Sequence, residues 1–197
     1  MSGFALPAVT LELLHSCLNE KNGPIWQTPL GPPSVESGYP AAVIVPLMPG
    51  ITGWDVLFIR RTLTVSHHQG QIAFPGGRTD PGDHSPEETA LRELHEELGV
   101  DPTCMRILGR MPPTRTLQTG FLIHPFVGLL SADVMLQPAP DEVAETVILP
   151  LNFFLETVKL SGRVEQFVSP QGVVWGATAR IMTQLCVAIL TNLTCES

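Results

Sequence analysis

Apolar and polar positions alternate along this chain in two rhythms. Between residues 86 and 98, Leu91, Leu94 and Leu98 recur at spacings of three and four, the period of a helix with one buried stripe. Ser85 suits the N-cap, Pro86 the first helical position, and Glu88 completes an S-x-x-E capping box. Gly99 marks the stop, so the pattern predicts a helix over about 86–98. Ala41 to Leu47 and Trp54 to Arg60 are rich in apolar and β-branched residues and predict strands, with further strands near 105–110, 121–130 and 145–149. Leu11, Leu13, Leu14 and Leu18 predict a short helix over 10–19. Residues 22–40, with Gly23, Pro24, Pro29, Gly31, Pro32, Pro33, Gly38 and Pro40, predict a coil that wraps the domain. Residues 62–73 read as a loop and short strand leading into a turn at Phe74-Pro75-Gly76-Gly77. Leu151 to Thr157 begins a short helix, strand pieces near 164–168 and 172–175 follow, and a helix from about 176 to 194 ends the pattern. Strands interleaved with a few helices predict an α+β fold, a mixed sheet sandwiched by helices. The expected division is an N-terminal helix with its Pro/Gly-rich wrap over 1–40 and one folded domain over 41–197.

The polar side of the 86–98 helix changes the picture. Glu93, Glu96 and Glu97 are related by three and four, so they share a face roughly opposite the leucine stripe. Each like-charge pair at that spacing costs a few tenths of a kcal/mol, a cost that a hard divalent cation such as Mg²⁺ or Mn²⁺ would offset. Such a trio alone is more often a solvated face. The capping box, the preceding glycines, Arg92 beside the acids and the order R-E-L-x-E-E-L-G-V tip the reading toward a metal site.

This segment resembles the signature of the Nudix hydrolases, G-x5-E-x7-R-E-U-x-E-E-x-G-U with U apolar. The match holds at every fixed position from Arg92 to Val100. The loop half departs. Past the five residues that follow Gly77 stands Asp83 rather than Glu, and eight residues then precede Arg92. Counting back from Arg92 puts His84 at the Glu position, so the upstream acid is either Asp83 or absent, with Asp83 the better candidate.

Just upstream, Val56-Leu57-Phe58-Ile59-Arg60-Arg61-Thr62 and His67-His68-Gln69-Gly70-Gln71-Ile72-Ala73-Phe74-Pro75-Gly76-Gly77 are similar to a motif of the coenzyme A pyrophosphatase branch, L-L-T-x-R-S/A-x3-R-x3-G-x3-F-P-G-G. Leu57, Arg61, Gly70, Phe74, Pro75, Gly76 and Gly77 fit; Ser66 stands where the second Arg is expected. Val174-Trp175-Gly176-Ala177-Thr178-Ala179 resembles a W-G-x-T-A stretch of the same branch, extending the likeness over about 41–190.

The resemblance implies a Nudix α/β/α sandwich and a metal-dependent pyrophosphohydrolase. Its metal ligands would be Glu93, Glu96, Glu97 and the Gly77 carbonyl. Asp141-Glu142-Val143 matches a segment that supplies a further acid in many such enzymes, so Glu142, Glu93 and Glu96 are the catalytic candidates, with Glu142 or Glu93 as the base. Arg61, His68 and Phe74 fall on the substrate side, and Arg115 is a candidate phosphate partner; taken alone, the histidines and Arg115 read more often as ordinary loop residues. The implied substrate is coenzyme A or a derivative, giving 4′-phosphopantetheine and 3′,5′-ADP. Another diphosphate (ADP-ribose, a dinucleotide or a nucleoside triphosphate) and a non-catalytic nucleotide-binding module are the alternatives.

Composition narrows the partners. The net charge of −8 argues against a broad nucleic-acid footprint, which needs a basic patch, so phosphates must be met by a local constellation and metal. Cys17, Cys104, Cys186 and Cys195 have no C-x-x-C spacing and read as reduced thiols of a cytoplasmic protein. No signal peptide or membrane span is expected. The apolar C-terminal helix serves either the core or the surface of a homodimer.

Overall fold

The computed structural model describes residues 8–21, 38–63, 69–116, 119–131 and 133–195. Helix α1 covers Leu11–Leu18 and is capped by Thr10, whose side chain accepts from the Leu13 amide. Strands β1 (Tyr39–Gly50) and β2 (Gly53–Arg61) form a hairpin, followed by β3 (Ile72–Ala73), β4 (Gly76–Arg78) and helix α2 (Pro86–Leu98). Strands β5 (Met105–Arg110), β6 (Thr114–Arg115), β7 (Phe121–Leu130) and β8 (Val143–Pro150) lead to helix α3 (Leu151–Ser161). A hairpin of β9 (Gln166–Ser169) and β10 (Gly172–Trp175) precedes helix α4 (Gly176–Cys195).

The large sheet runs β3-β2-β1-β7-β5, with β8 on β2, β6 on β7 and β4 on β1. β1 and β7 are parallel and the other pairs antiparallel, so the sheet is mixed. Alternation along β1 builds a three-layer sandwich. Val45 and Leu47 join α1, α3 and α4 in the main core, whereas Ala42 and Ile44 pack on Ala90, Leu94 and Leu98 of α2. Leu13, Leu14, Cys17 and Leu18 place α1 inside that main core.

One feature of the register positions the site. β1 and β2 pair only from Leu47–Val56 to Gly50–Gly53 and then splay apart. β4 takes the edge left open at Ala41–Val43 of β1, and β3 takes the one left at Ile59–Arg60 of β2. The chain crosses this gap at Phe74–Pro75, where the Pro75 carbonyl accepts from the Ile44 amide at 3.0 Å.

The expected helices and long strands are present, with β1 starting at Tyr39 and α3 running on to Ser161. Two short strands were not legible. Gly76–Arg78, expected as part of a turn, is paired with β1, and Thr114–Arg115, expected as loop, is paired with β7. Their ladder partners lie far away in sequence, and two or three residues carry no periodicity. Among the described residues no helix is long and apolar enough to cross a membrane.

Candidate active site

Helix α2 carries the acids and is anchored at both ends. The Ser85 hydroxyl accepts from the Glu88 amide at 3.1 Å, and the Glu88 carboxylate accepts from the His84 amide at 2.7 Å. Gly99 takes the left-handed conformation (φ 66°) that ends the helix. With Leu94 and Leu98 turned to the sheet, Glu93 and Glu97 face β4 across the splay.

Glu97 is the innermost acid, 1% exposed. Its carboxylate accepts from the Gly76 amide at 2.9 Å and pairs with the Arg61 guanidinium at 3.3 Å. Burial pushes its carboxyl up to about 8; the nearby charges of Glu93 and Glu142 add to this, while the Gly76 amide and Arg61 oppose it. Glu93 lies directly over Gly77, where an added Cβ would stand 2.5 Å from its carboxylate carbon. Glycine is therefore required there by close approach. The Glu93 carboxyl is also raised, mainly by burial and further by Glu96 and Glu142, against the pull of Arg92. Glu96 is largely exposed and bonds Arg92 at 2.8 Å.

Arg92 organises this face. It grips Asp83 with two bonds of 3.0 Å, holds Glu93 at 3.0 Å and donates to the Arg78 carbonyl at 2.9 Å. Asp83 in turn accepts from the Asp80 amide and the buried Thr89 hydroxyl, each at 2.9 Å. The Arg92 guanidinium holds its carboxyl well below the usual carboxylate range. The loop acid thus anchors Arg92 and does not face the cleft, while His84 contributes only its amide at the helix start.

Glu142 reaches the cluster from the other side of the splay. Thr62 pins its loop, donating its amide to the Glu142 carbonyl and its hydroxyl to the Asp141 carbonyl, both at 2.9 Å. A register shift between Arg60 and Arg61 accompanies this contact. Arg61 meets Glu97, and its buried Nε has no hydrogen-bond partner among the described residues. Neither Thr62 nor Thr89 stood out in the sequence; both act through contacts that only the folded chain makes.

Among the described residues no three His, Cys, Asp or Glu side chains converge on a single point. Glu97 is drawn toward Gly76 and Arg61, and Glu93 and Glu96 toward Arg92. The donor chemistry nonetheless fits a hard divalent cation: carboxylate oxygens from one helix face, two of them with carboxyls raised by burial and by neighbouring acids.

The other expected residues divide. Phe74 is 3% exposed and stacks on Phe58 at 4.9 Å, so its ring fills the main core instead of meeting substrate. Arg115 lies on β6, separated from β4 by β7 and β1, and its carbonyl accepts from Arg180 at 2.7 Å. His67 and His68, with Ser66, lie outside the described residues.

Comparison with known proteins agrees with this fold. A family model described as NUDIX domain matches residues 38–165. The Nudix hydrolase NudL of Pectobacterium atrosepticum, described as uncharacterized, is 38% identical over 159 residues, covering 76% of this chain and 82% of that one. A C. elegans Ap4A hydrolase in a binary complex is similar in fold, with a TM-score of 0.54 at 15% identity over 78% of this chain and 98% of its own. The NUDIX domain of Shewanella oneidensis NrtR complexed with ADP ribose gives a TM-score of 0.54 at 18% identity over 81% and 93%.

Proposed function

The chain belongs to the Nudix hydrolase family, and from that premise we propose that it cleaves the diphosphate of coenzyme A or a close derivative, using Mg²⁺ or Mn²⁺. Hydrolysis of a nucleotide pyrophosphate linkage with a divalent metal is the family's chemistry. The finer reading is carried by one observation. Arg61, from the coenzyme A-like segment, meets Glu97, from the helix signature, at 3.3 Å. The two motifs therefore build one site.

In this reading Glu93, Glu96, Glu97 and the Gly77 carbonyl would hold the cation. Bound there, it supplies positive charge for the diphosphate and a more acidic water. The remaining work falls to the chain. Arg61, 3.3 Å from Glu97, supplies positive charge to a phosphate beside that acid. Arg92, fixed by Asp83, keeps Glu93 over Gly77. Glu142, on the far side of the splay, or Glu93 takes the proton of the attacking water. Water adds at one phosphorus as the bridging P–O bond breaks, and two phosphate monoesters leave. For coenzyme A these are 4′-phosphopantetheine and 3′,5′-ADP.

Incubation with coenzyme A, ADP-ribose, a dinucleoside polyphosphate and a nucleoside triphosphate, each with Mg²⁺ and with Mn²⁺, tests the reading by chromatography of products. Coenzyme A should have the highest kcat/KM. A higher value for another diphosphate moves the assignment to that substrate, and the missing second basic residue at Ser66 is the sequence feature that favours such an outcome.

A further inference from the structure

Tyr39 and Phe121 face each other across the parallel β1–β7 pair, with ring centroids 6.0 Å apart. The Arg78 guanidinium lies over both, 5.9 Å from the Tyr39 ring centre and 5.8 Å from that of Phe121. These are cation–π distances. Three facts make this more than a surface contact. Arg60, Arg61 and Arg92 each hold a carboxylate, whereas Arg78 has no hydrogen bond or ion pair from its side chain among the described residues, in a chain of net charge −8. Tyr39 is 63% exposed, leaving a wide aromatic face to solvent. Arg78 also directly follows Gly77, and its carbonyl is tied to Arg92.

The strand register gives the path between the two sites. Gly77 faces Glu93 of α2. The next residue on a strand points to the opposite face, so the Arg78 side chain lies on the other side of the sheet. Among the described residues no second strand pairs with β4, and side chains of α2 hold its outward groups, Glu97 the Gly76 amide and Arg92 the Arg78 carbonyl. β4 is only three residues long, so a nucleotide that crosses it beside Arg92 has its diphosphate at Glu93 and its base beyond Arg78.

We propose that Tyr39, Phe121 and Arg78 form a nucleobase subsite, in which the purine ring of the nucleotide half of the substrate stacks on Tyr39 and takes hydrogen bonds at its edge from Arg78. The inference rests on the reading that the substrate is a nucleotide diphosphate. A purine fits better than a pyrimidine because two fused rings cover more of the open tyrosine face and present ring-nitrogen acceptors to a guanidinium.

The test is titration of the full-length protein with adenosine monophosphate by calorimetry, alongside steady-state kinetics. Tyr39→Ala and Arg78→Ala should each weaken adenosine monophosphate on the order of 10-fold, the usual scale for losing one stacking partner. The same factor should appear in KM for the nucleotide diphosphate, not in kcat. Inorganic pyrophosphate, which has no base, should inhibit wild type and variants alike. Tyr39→Phe should keep wild-type affinity, because the ring makes the stack. Unchanged adenosine monophosphate affinity in Tyr39→Ala, with the fold intact by circular dichroism, overturns the proposal. So does a wild type that binds cytidine monophosphate as tightly, or that binds neither. A wild type that binds adenosine monophosphate through Tyr39 yet cleaves no nucleotide diphosphate overturns the functional reading alone, since the titration needs no turnover.

Discussion

Glu97 couples the stability of the metal-free protein to pH. Its carboxyl is raised from an ordinary 4.5 to about 8, chiefly by burial. The folded state therefore binds a proton that the unfolded chain has already released, so stability falls as pH rises from 4.5 to about 8. Converted at about 1.4 kcal/mol per pKa unit, the loss is at most about 5 kcal/mol above pH 8. For a chain of this size, where about 1 kcal/mol shifts Tm by roughly 2–4 °C, a fall of about 10 °C between pH 5 and pH 8.5 is expected in chelator. Glu97→Gln cannot ionise. It keeps a side-chain oxygen for the Gly76 amide or for Arg61 but not for both, at a cost of about 1–3 kcal/mol that does not vary with pH. Glu93 also titrates upward and His124 downward, so the diagnostic quantity is the difference between the two proteins. Thermal melts in EDTA from pH 5 to pH 9 should show the wild-type curve dropping toward the Glu97→Gln curve or crossing it. Mg²⁺ at pH 8.5 should restore the wild type but not the variant. Parallel curves at all pH values would refute the claim that Glu97 is buried against its own charge.

Four other perturbations address separate parts of the site. Asp83→Asn removes the charge that fixes Arg92, so kcat should fall about 10–100-fold, matching about 1.5–3 kcal/mol for a charged hydrogen bond, and Asp83→Glu should recover part of it; full activity in Asp83→Asn counts against the anchor. Thr62→Val keeps the shape but loses the bond to the Asp141 carbonyl, so kcat should drop about 10-fold with recovery in Thr62→Ser, and an equal loss in both variants argues against the hydroxyl. Gly77→Ala places a methyl 2.5 Å from the Glu93 carboxylate and should abolish turnover in a protein whose circular dichroism is native; retained activity would mean that Glu93 stands elsewhere. Phe74→Ala should lower stability by about 3–5 kcal/mol in urea titration, as expected for a buried ring; a KM change with no stability change would return Phe74 to the substrate.

How far the site could be read in advance depends on the range of each contact. The Glu93, Glu96 and Glu97 face follows from helical periodicity within thirteen residues, and the Ser85 cap and Gly99 stop from the residues that flank them. Spacing marks Asp83 as the candidate loop acid but does not say whether it meets metal or arginine. The folded loop turns it onto Arg92, with Thr89 and the Asp80 amide completing its shell. Phe74 stands out in the sequence only by its place in a motif. Motif position does not report burial, and Phe58 lies sixteen residues earlier on another strand.

The local pattern alone determined the helix, its caps, its acidic face and the mixed order of strands and helices, because each depends on neighbours within a few turns or on alternation along one strand. Tertiary structure decided what those acids face. Arg61 reaches Glu97, Thr62 holds the loop of Glu142, and Arg78 settles over Tyr39 and Phe121. The first depends on where β1 and β2 part, the second on the register of β8 against β2, and the third on the register that β4 and β7 take against β1. A splay in a sheet is a property of several strands together, and no stretch of sequence carries it.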